Sequence, residues 1–159
     1  MRLKNKIAII VGSSRGLGLS IAKGYKNEGA KVVITYLEKK EEALSVYQKE
    51  GFSDVFQLDI RCRESLVEFY EKIKEKYKKI DILVNNAGIN RTADFIDQTD
   101  DEWDSVIETN LTGVFRNSQE ALNLISDGGK IINIGSLSGE YGGPRTPSYA
   151  AAKMGIMAL

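Results

Sequence analysis

The sequence predicts a doubly wound α/β domain, a five-stranded parallel sheet with helices on both faces. Three observations predict it. Short apolar runs alternate with longer segments of helical period. The runs are almost continuously apolar, as strands covered on both faces must be. A glycine turn, Gly12-Ser13-Ser14-Arg15-Gly16-Leu17-Gly18, joins the first run to the first helical segment.

The first strand is expected over Lys6–Val11. Met1–Val11 superficially resembles a secretory leader, but its apolar run is too short and leads straight into the turn. A helix follows over Gly16–Asn27, then a strand over Lys31–Tyr36, a helix over Lys40–Lys49 and a strand over Val55–Asp59. In the helix Arg63–Tyr77 the apolar stripe is Leu66, Phe69, Ile73 and Tyr77, and Tyr70 with Lys74 reads as a solvated edge. The fourth strand is Ile80–Asn85. One long helix is expected over Thr99–Ile125, opened by the capping box Thr99-Asp100-Asp101-Glu102. Its apolar face is Trp103, Val106, Ile107, Leu111, Val114 and Phe115. Asn110 falls on that face, where a polar side chain without partners costs roughly 1–3 kcal/mol. It is either a satisfied core asparagine or part of a site. The fifth strand is Lys130–Ile134, followed by a Gly/Pro-rich loop. A last helix begins near Ser148 and still runs at Leu159 with no glycine cap. The expectation is a single dinucleotide-binding domain over 1–159, truncated within that helix. The βαβ alternation implies right-handed crossovers.

The 159 residues suit one domain with a sizeable core. Lys plus Arg and Asp plus Glu both number 22, so no basic excess points to nucleic acid. The single cysteine, Cys62, excludes an intramolecular disulfide framework and fits a reducing, cytoplasmic compartment. No stretch is long and apolar enough to cross a membrane, and no metal-ligand set is read.

Tyr-x-x-x-Lys occurs at Tyr36/Lys40, Tyr70/Lys74 and Tyr149/Lys153, so spacing alone selects nothing. Only the third copy follows an apolar strand, a Gly-Ser turn and a Gly/Pro-rich loop. There the two side chains lie one helical turn apart on one face. A cation beside a phenol favours the phenolate and moves a pKa of about 10 toward neutrality. That provides a proton donor in a chain with no histidine.

Gly12, Gly16 and Gly18 permit a tight turn and close backbone approach to a pyrophosphate at a helix N-terminus. The spacing is neither Gly-x-Gly-x-x-Gly nor a P-loop. An acid at the end of the second strand would bind a ribose 2′-hydroxyl and repel a 2′-phosphate. Tyr36 and Leu37 stand there instead, with Glu38 beside Lys39 and Lys40, and Arg15 lies within the turn. These residues favour NADP. Glu38 is the counterevidence, and NAD is the alternative.

With these parts in place, the chain resembles the short-chain dehydrogenase/reductase family over its whole length. Four signatures carry the resemblance: the glycine turn, Asn85-Asn86-Ala87-Gly88, Asn110, and Ser136 ahead of Tyr149 and Lys153. Among subfamilies it is most similar to 3-oxoacyl-(acyl-carrier-protein) reductases of fatty acid synthesis. The resemblance implies a Rossmann-type sheet in the order 3-2-1-4-5. It implies Tyr149 as general acid, Lys153 as ribose ligand and modulator of the tyrosine, and Ser136 as donor to the substrate oxygen, with Ser138 the alternative serine. Asn110 would hold a water linking Lys153 to solvent, and Asn85 would tie neighbouring strands. The cofactor would be held by Gly12, Ser13, Ser14, Arg15, Gly16, Leu17, Gly18, Tyr36, Lys39, Asp59, Ile60, Asn86, Ala87, Gly88, Tyr149 and Lys153. A carbonyl substrate carried on acyl carrier protein and a homotetramer are implied.

Val11 stands where the family often has Thr. Family members continue through two further strands and a substrate lobe, so the 159-residue piece alone is expected to be weakly stable and inactive on 3-oxoacyl thioesters. Other readings are a dehydrogenase of an alcohol, sugar or steroid, a non-catalytic cofactor-binding fragment, and an epimerase or dehydratase of the extended relatives, which the glycine spacing disfavours.

Overall fold

The computed structural model describes residues 1–159. The apolar runs form β1 (Ile7–Val11), β2 (Lys31–Tyr36), β3 (Asp54–Gln57), β4 (Ile80–Asn85) and β5 (Ile125–Asn133). They make one parallel sheet in the order β3-β2-β1-β4-β5. Ile9 pairs with Val33 on one side and Leu83 on the other. Successive side chains of a strand point to opposite faces, so unbroken apolar runs feed two cores. Ile9, Val11, Val33 and Leu83 pack on Leu66, Phe69 and Ile73. Ala8, Ile10, Val32, Ile34 and Val84 pack with Ala22 and Phe52.

The helices are α1 (Gly16–Asn27), α2 (Lys40–Glu50), α3 (Arg63–Tyr77), α4 (Asp100–Ile107), α5 (Gly113–Leu122), α6 (Leu137–Tyr141) and α7 (Pro147–Met157). The predicted rod over Thr99–Ile125 is broken. A π-helical segment, Glu108–Thr112, separates α4 from α5. Its entry is as expected: Thr99 Oγ1 accepts from the Glu102 N–H at 3.2 Å, and Glu102 accepts from the Thr99 N–H at 3.2 Å. The extra residue of a π turn shifts the 3.6-residue period, so the expected face does not stay together. Val106 and Val114 are buried, whereas Trp103 and Phe115 are exposed.

The helix also ends earlier than expected. Ile125 already pairs with Ile80 in the sheet, and pairing resumes at Lys130 with Ile82. The residues between bulge outward through Gly128, at φ +75°. The Gly/Pro-rich loop hides a short element, α6, which the glycines masked.

Tyr70 corrects a second expectation. It is a core residue, not a solvated edge. Its hydroxyl donates to Asn117 Oδ1 at 2.9 Å, and Asn117 Nδ2 donates to Asn85 Oδ1 at 2.6 Å. Asn85 Nδ2 then donates to Asn133 Oδ1 at 2.8 Å and Ser118 Oγ at 2.9 Å. This buried chain ties α3, α5, β4 and β5, and gives Asn85 the strand-tying task expected of it. Burial drives the Tyr70 pKa far above the ordinary phenol value. Tyr70→Phe leaves the Asn117 oxygen without that donor in an apolar layer. The expected cost is about 1–3 kcal/mol, read as a lower urea midpoint with unchanged slope.

Candidate active site

In a parallel sheet the strands' carboxyl ends share one edge, and a crevice opens where the strand order reverses. Here the reversal lies between β1 and β4. A cleft of about 450 Å³ opens there. The glycine turn lines it after β1, Tyr36–Lys39 after β2, Leu58–Arg61 after β3, and Asn86–Ile89 after β4.

The turn is held from two sides. Gly12 sits at φ +68°, and a Cβ there would lie 2.9 Å from Ala87 Cα. Its N–H donates to Thr35 Oγ1 at 3.0 Å. Asn86 Nδ2 donates to the carbonyls of Val11 at 3.0 Å and Gly12 at 2.8 Å. α1 then begins with no side-chain cap and no acidic residue in its first turn. Its free N–H groups and partial positive charge suit an anion. The glycine cradle and this uncapped helix start fit a dinucleotide pyrophosphate.

Most of the expected cofactor ligands line this cleft: Gly12, Ser14, Arg15, Gly16, Leu17, Gly18, Tyr36, Lys39, Asp59, Ile60, Asn86, Ala87 and Gly88. Ser13 does not. Its side chain is buried, donating to the Ile10 carbonyl at 2.6 Å and accepting from the Thr35 N–H at 3.1 Å. Tyr36 is largely buried, so Leu37 is the exposed side chain at the end of β2. Arg15 is exposed and makes no ion pair, whereas Lys39 pairs with Glu42 at 3.3 Å.

Arg61 was missed by the sequence reading. It lines the cleft and grips Asp59 with Nε at 2.9 Å and Nη2 at 2.6 Å. The hydrogen bonds from Arg61 hold the Asp59 carboxyl below the usual carboxylate range. The signal was an arginine two residues beyond the chosen aspartate.

Ser136, Tyr149 and Lys153 lie outside the cleft lining, on the segment after β5. Tyr149 and Lys153 come together on α7, with Lys153 Nζ 5.6 Å from the Tyr149 ring centroid. Nζ donates to the Ile134 carbonyl at 2.5 Å. Ile134 is itself tied to β4 by its N–H, which bonds the Asn85 carbonyl at 3.0 Å. Lys153 is buried, and burial lowers its pKa from the ordinary lysine value. Ser136 caps α6, accepting from the Ser138 N–H at 3.2 Å. α6 packs so closely on α7 that a Cβ at Gly139 would lie 2.9 Å from the Lys153 carbonyl carbon.

Asn110 is fully buried, in the π segment. Its Oδ1 accepts from the Ile89 N–H at 2.8 Å, and its Nδ2 donates to the Ile89 carbonyl at 2.7 Å. Both ends of its amide therefore hold the cleft wall just beyond Gly88. The other two Tyr-x-x-x-Lys copies do not form such a pair. Tyr36 is packed at the end of β2 and Tyr70 lies in the core.

The family model for short chain dehydrogenases matches residues 6–159. The chain belongs to the short-chain dehydrogenase family. This short-chain dehydrogenase sequence is 35% identical to a 3-oxoacyl-(acyl-carrier-protein) reductase of Thermotoga maritima, over 100% of the chain and 67% of that protein. It is 38% identical to the enzyme of that name in Escherichia coli, over 99% of the chain and 65% of that protein. An acetoacetyl-CoA reductase of Shinella zoogloeoides is 36% identical over 95% of the chain and 63% of its own length. The chain thus spans about two thirds of the length of the curated relatives it matches. It is an oxidoreductase by family, and no helix in it is long and apolar enough to cross a membrane.

Proposed function

We propose that the protein is an NADPH-dependent reductase of 3-oxoacyl thioesters, with acyl carrier protein as the carrier of its natural substrate. The observation that carries this reading is the Tyr149/Lys153 pair, seated against the carbonyl of Ile134, whose N–H is bonded to Asn85, the neighbour of cleft-lining Asn86. When bound, the nicotinamide supplies hydride to the carbonyl carbon. Tyr149 gives its phenolic proton to the carbonyl oxygen, and Ser136 orients that oxygen by a hydrogen bond. Lys153 holds the ribose and stabilises the phenolate left behind. Asn110 keeps Gly88 and Ile89 in place along the cofactor's path. The names of the relatives support the substrate class.

The unpaired Arg15 in the cleft, and the lack of an acid at Tyr36 or Leu37, support NADP. Glu38 lines the same cleft and is the counterweight to this reading. The protein is expected to prefer NADPH over NADH in kcat/KM by about tenfold or more, the scale of one charged hydrogen bond. Leu37→Asp should reverse the preference by placing a carboxylate where the 2′-phosphate would lie. A parent that prefers NADH would assign the deciding role to Glu38. The reductase reading itself is tested by NADPH oxidation with acetoacetyl-CoA, followed at 340 nm; no consumption with any 3-oxoacyl thioester sinks it.

A further inference from the structure

We propose that Gln98 is the positioning residue for Tyr149, capping the helix that carries the tyrosine from fifty residues away. The proposal rests on the reductase reading for its catalytic meaning. Its structural basis is separate.

A helix start exposes N–H groups that need acceptors, and the residue before the helix ordinarily supplies one. For α7 that residue is Thr146, and its side chain makes no capping bond. Thr146 Oγ1 is instead buried with no hydrogen-bond partner, the only such side-chain atom in the chain. Pro147, at the first helical position, has no N–H to satisfy. The next donor is the N–H of Ser148, the residue immediately before Tyr149. Gln98 Oε1 accepts from it at 3.2 Å. The other end of the same amide donates to Ser148 Oγ at 3.0 Å. Ser148 is fully buried, and the two hydrogen bonds that reach it are part-buried. A planar amide gripping two atoms of one residue fixes direction as well as distance.

Gln98 is itself well anchored. Its N–H donates to the Asp94 carbonyl at 3.1 Å, and the next residue, Thr99, begins the capping box of α4. The loop before it is stitched to the loop before α7. The Ala93 N–H donates to the Arg145 carbonyl at 3.0 Å, and Arg145 Nε pairs with Asp94 at 3.1 Å. The Arg145–Asp94 ion pair is exposed and adds little to holding the loops together. The part-buried Gln98–Ser148 pair joins the starts of α4 and α7 and sets where α7 begins. Tyr149 is the next residue along, so a loosened start displaces the phenol first. Lys153, one turn on, keeps its Ile134 anchor.

The test uses the protein with NADPH and acetoacetyl-CoA. Gln98→Ala should lower kcat about tenfold with KM for NADPH unchanged, since small misplacements of a reacting group are costly. Gln98→Glu keeps an acceptor for both the Ser148 N–H and the Ser148 hydroxyl, and should recover most of the rate. Amide exchange at Ser148 should quicken about tenfold in Gln98→Ala but not in Gln98→Glu, the scale of one lost hydrogen bond. Exchange at Ile34, in the sheet, should stay as in the parent and exclude general unfolding. A parent-like kcat in Gln98→Ala, a loss that Gln98→Glu fails to recover, or unchanged Ser148 exchange overturns the proposal. If the parent reduces no thioester, the reductase reading falls, and Ser148 exchange alone then decides for or against Gln98.

Discussion

Tyr149→Phe should lower carbonyl reduction by about 10²–10⁴ while NADPH binding stays near that of the parent, because one positioned acid contributes on that scale. The change deletes a single oxygen from a half-buried ring and leaves α7 intact. Lys153 still bonds the Ile134 carbonyl, and the cleft lining, which excludes Tyr149, is untouched. Binding and chemistry are therefore expected to separate. Stopped-flow hydride transfer and a fluorescence titration with NADPH measure the two halves. A Phe variant that turns over like the parent would remove the tyrosine from the reaction.

Gly18→Ala is expected to reverse that pattern, with cofactor binding lost first. A Cβ at Gly18 would sit 2.5 Å from Asn86 Nδ2 and 2.6 Å from the Gly12 carbonyl oxygen. The second atom is backbone, so the turn must move, and overpacking of this kind costs about 1–3 kcal/mol. The displaced groups are the ones that fasten the cradle to β4, through the Asn86 bonds to Val11 and Gly12. NADPH affinity should fall at least tenfold and the thermal midpoint should drop. Gly24→Ala is the control. It lies in the same helix, nothing comes within 4 Å of its added carbon, and alanine there should stabilise by up to about 1 kcal/mol. Equal affinity in the two variants would refute the steric account of the turn.

The strands were legible because a two-face-buried strand writes itself as an unbroken apolar run, whereas their order in the sheet came from the family resemblance. Ala8, Ile9 and Ile10 show this in three consecutive residues. The capping box at Thr99 was legible because its bonds are local. What escaped notice depended on distant partners. Tyr70 has the spacing of a surface motif, and only Asn117, on another helix, reveals it as core. Arg61 reads as one more surface charge until the fold lays it against Asp59 inside the cleft. Ser13 lies among the expected cofactor ligands in sequence, yet the turn rotates its hydroxyl into the protein. The long helix was misread for a different cause. A helical period is counted on the assumption of constant pitch, and nothing in Glu-Thr-Asn-Leu-Thr announces a change of pitch.

That change of pitch acts as a phase setting between two packing surfaces. Upstream of Glu108–Thr112, α4 packs against α7; downstream, α5 packs against α3. Each α-helical residue advances about 100° around the axis, so a rod one residue shorter here would present α5 rotated by roughly that angle. Asn117 would swing away from Asn85, Ala121 would leave the core, and Arg116 would lose the Arg61 carbonyl that it now holds at 2.7 Å. Asn110 occupies the middle of the segment with both ends of its amide fixed on Ile89. The surplus residue and the asparagine form one device: the added turn lets a single rod face the tyrosine helix at one end and the sheet at the other. A homologous sequence that gains or loses a residue between Glu108 and Thr112 therefore cannot keep both surfaces aligned.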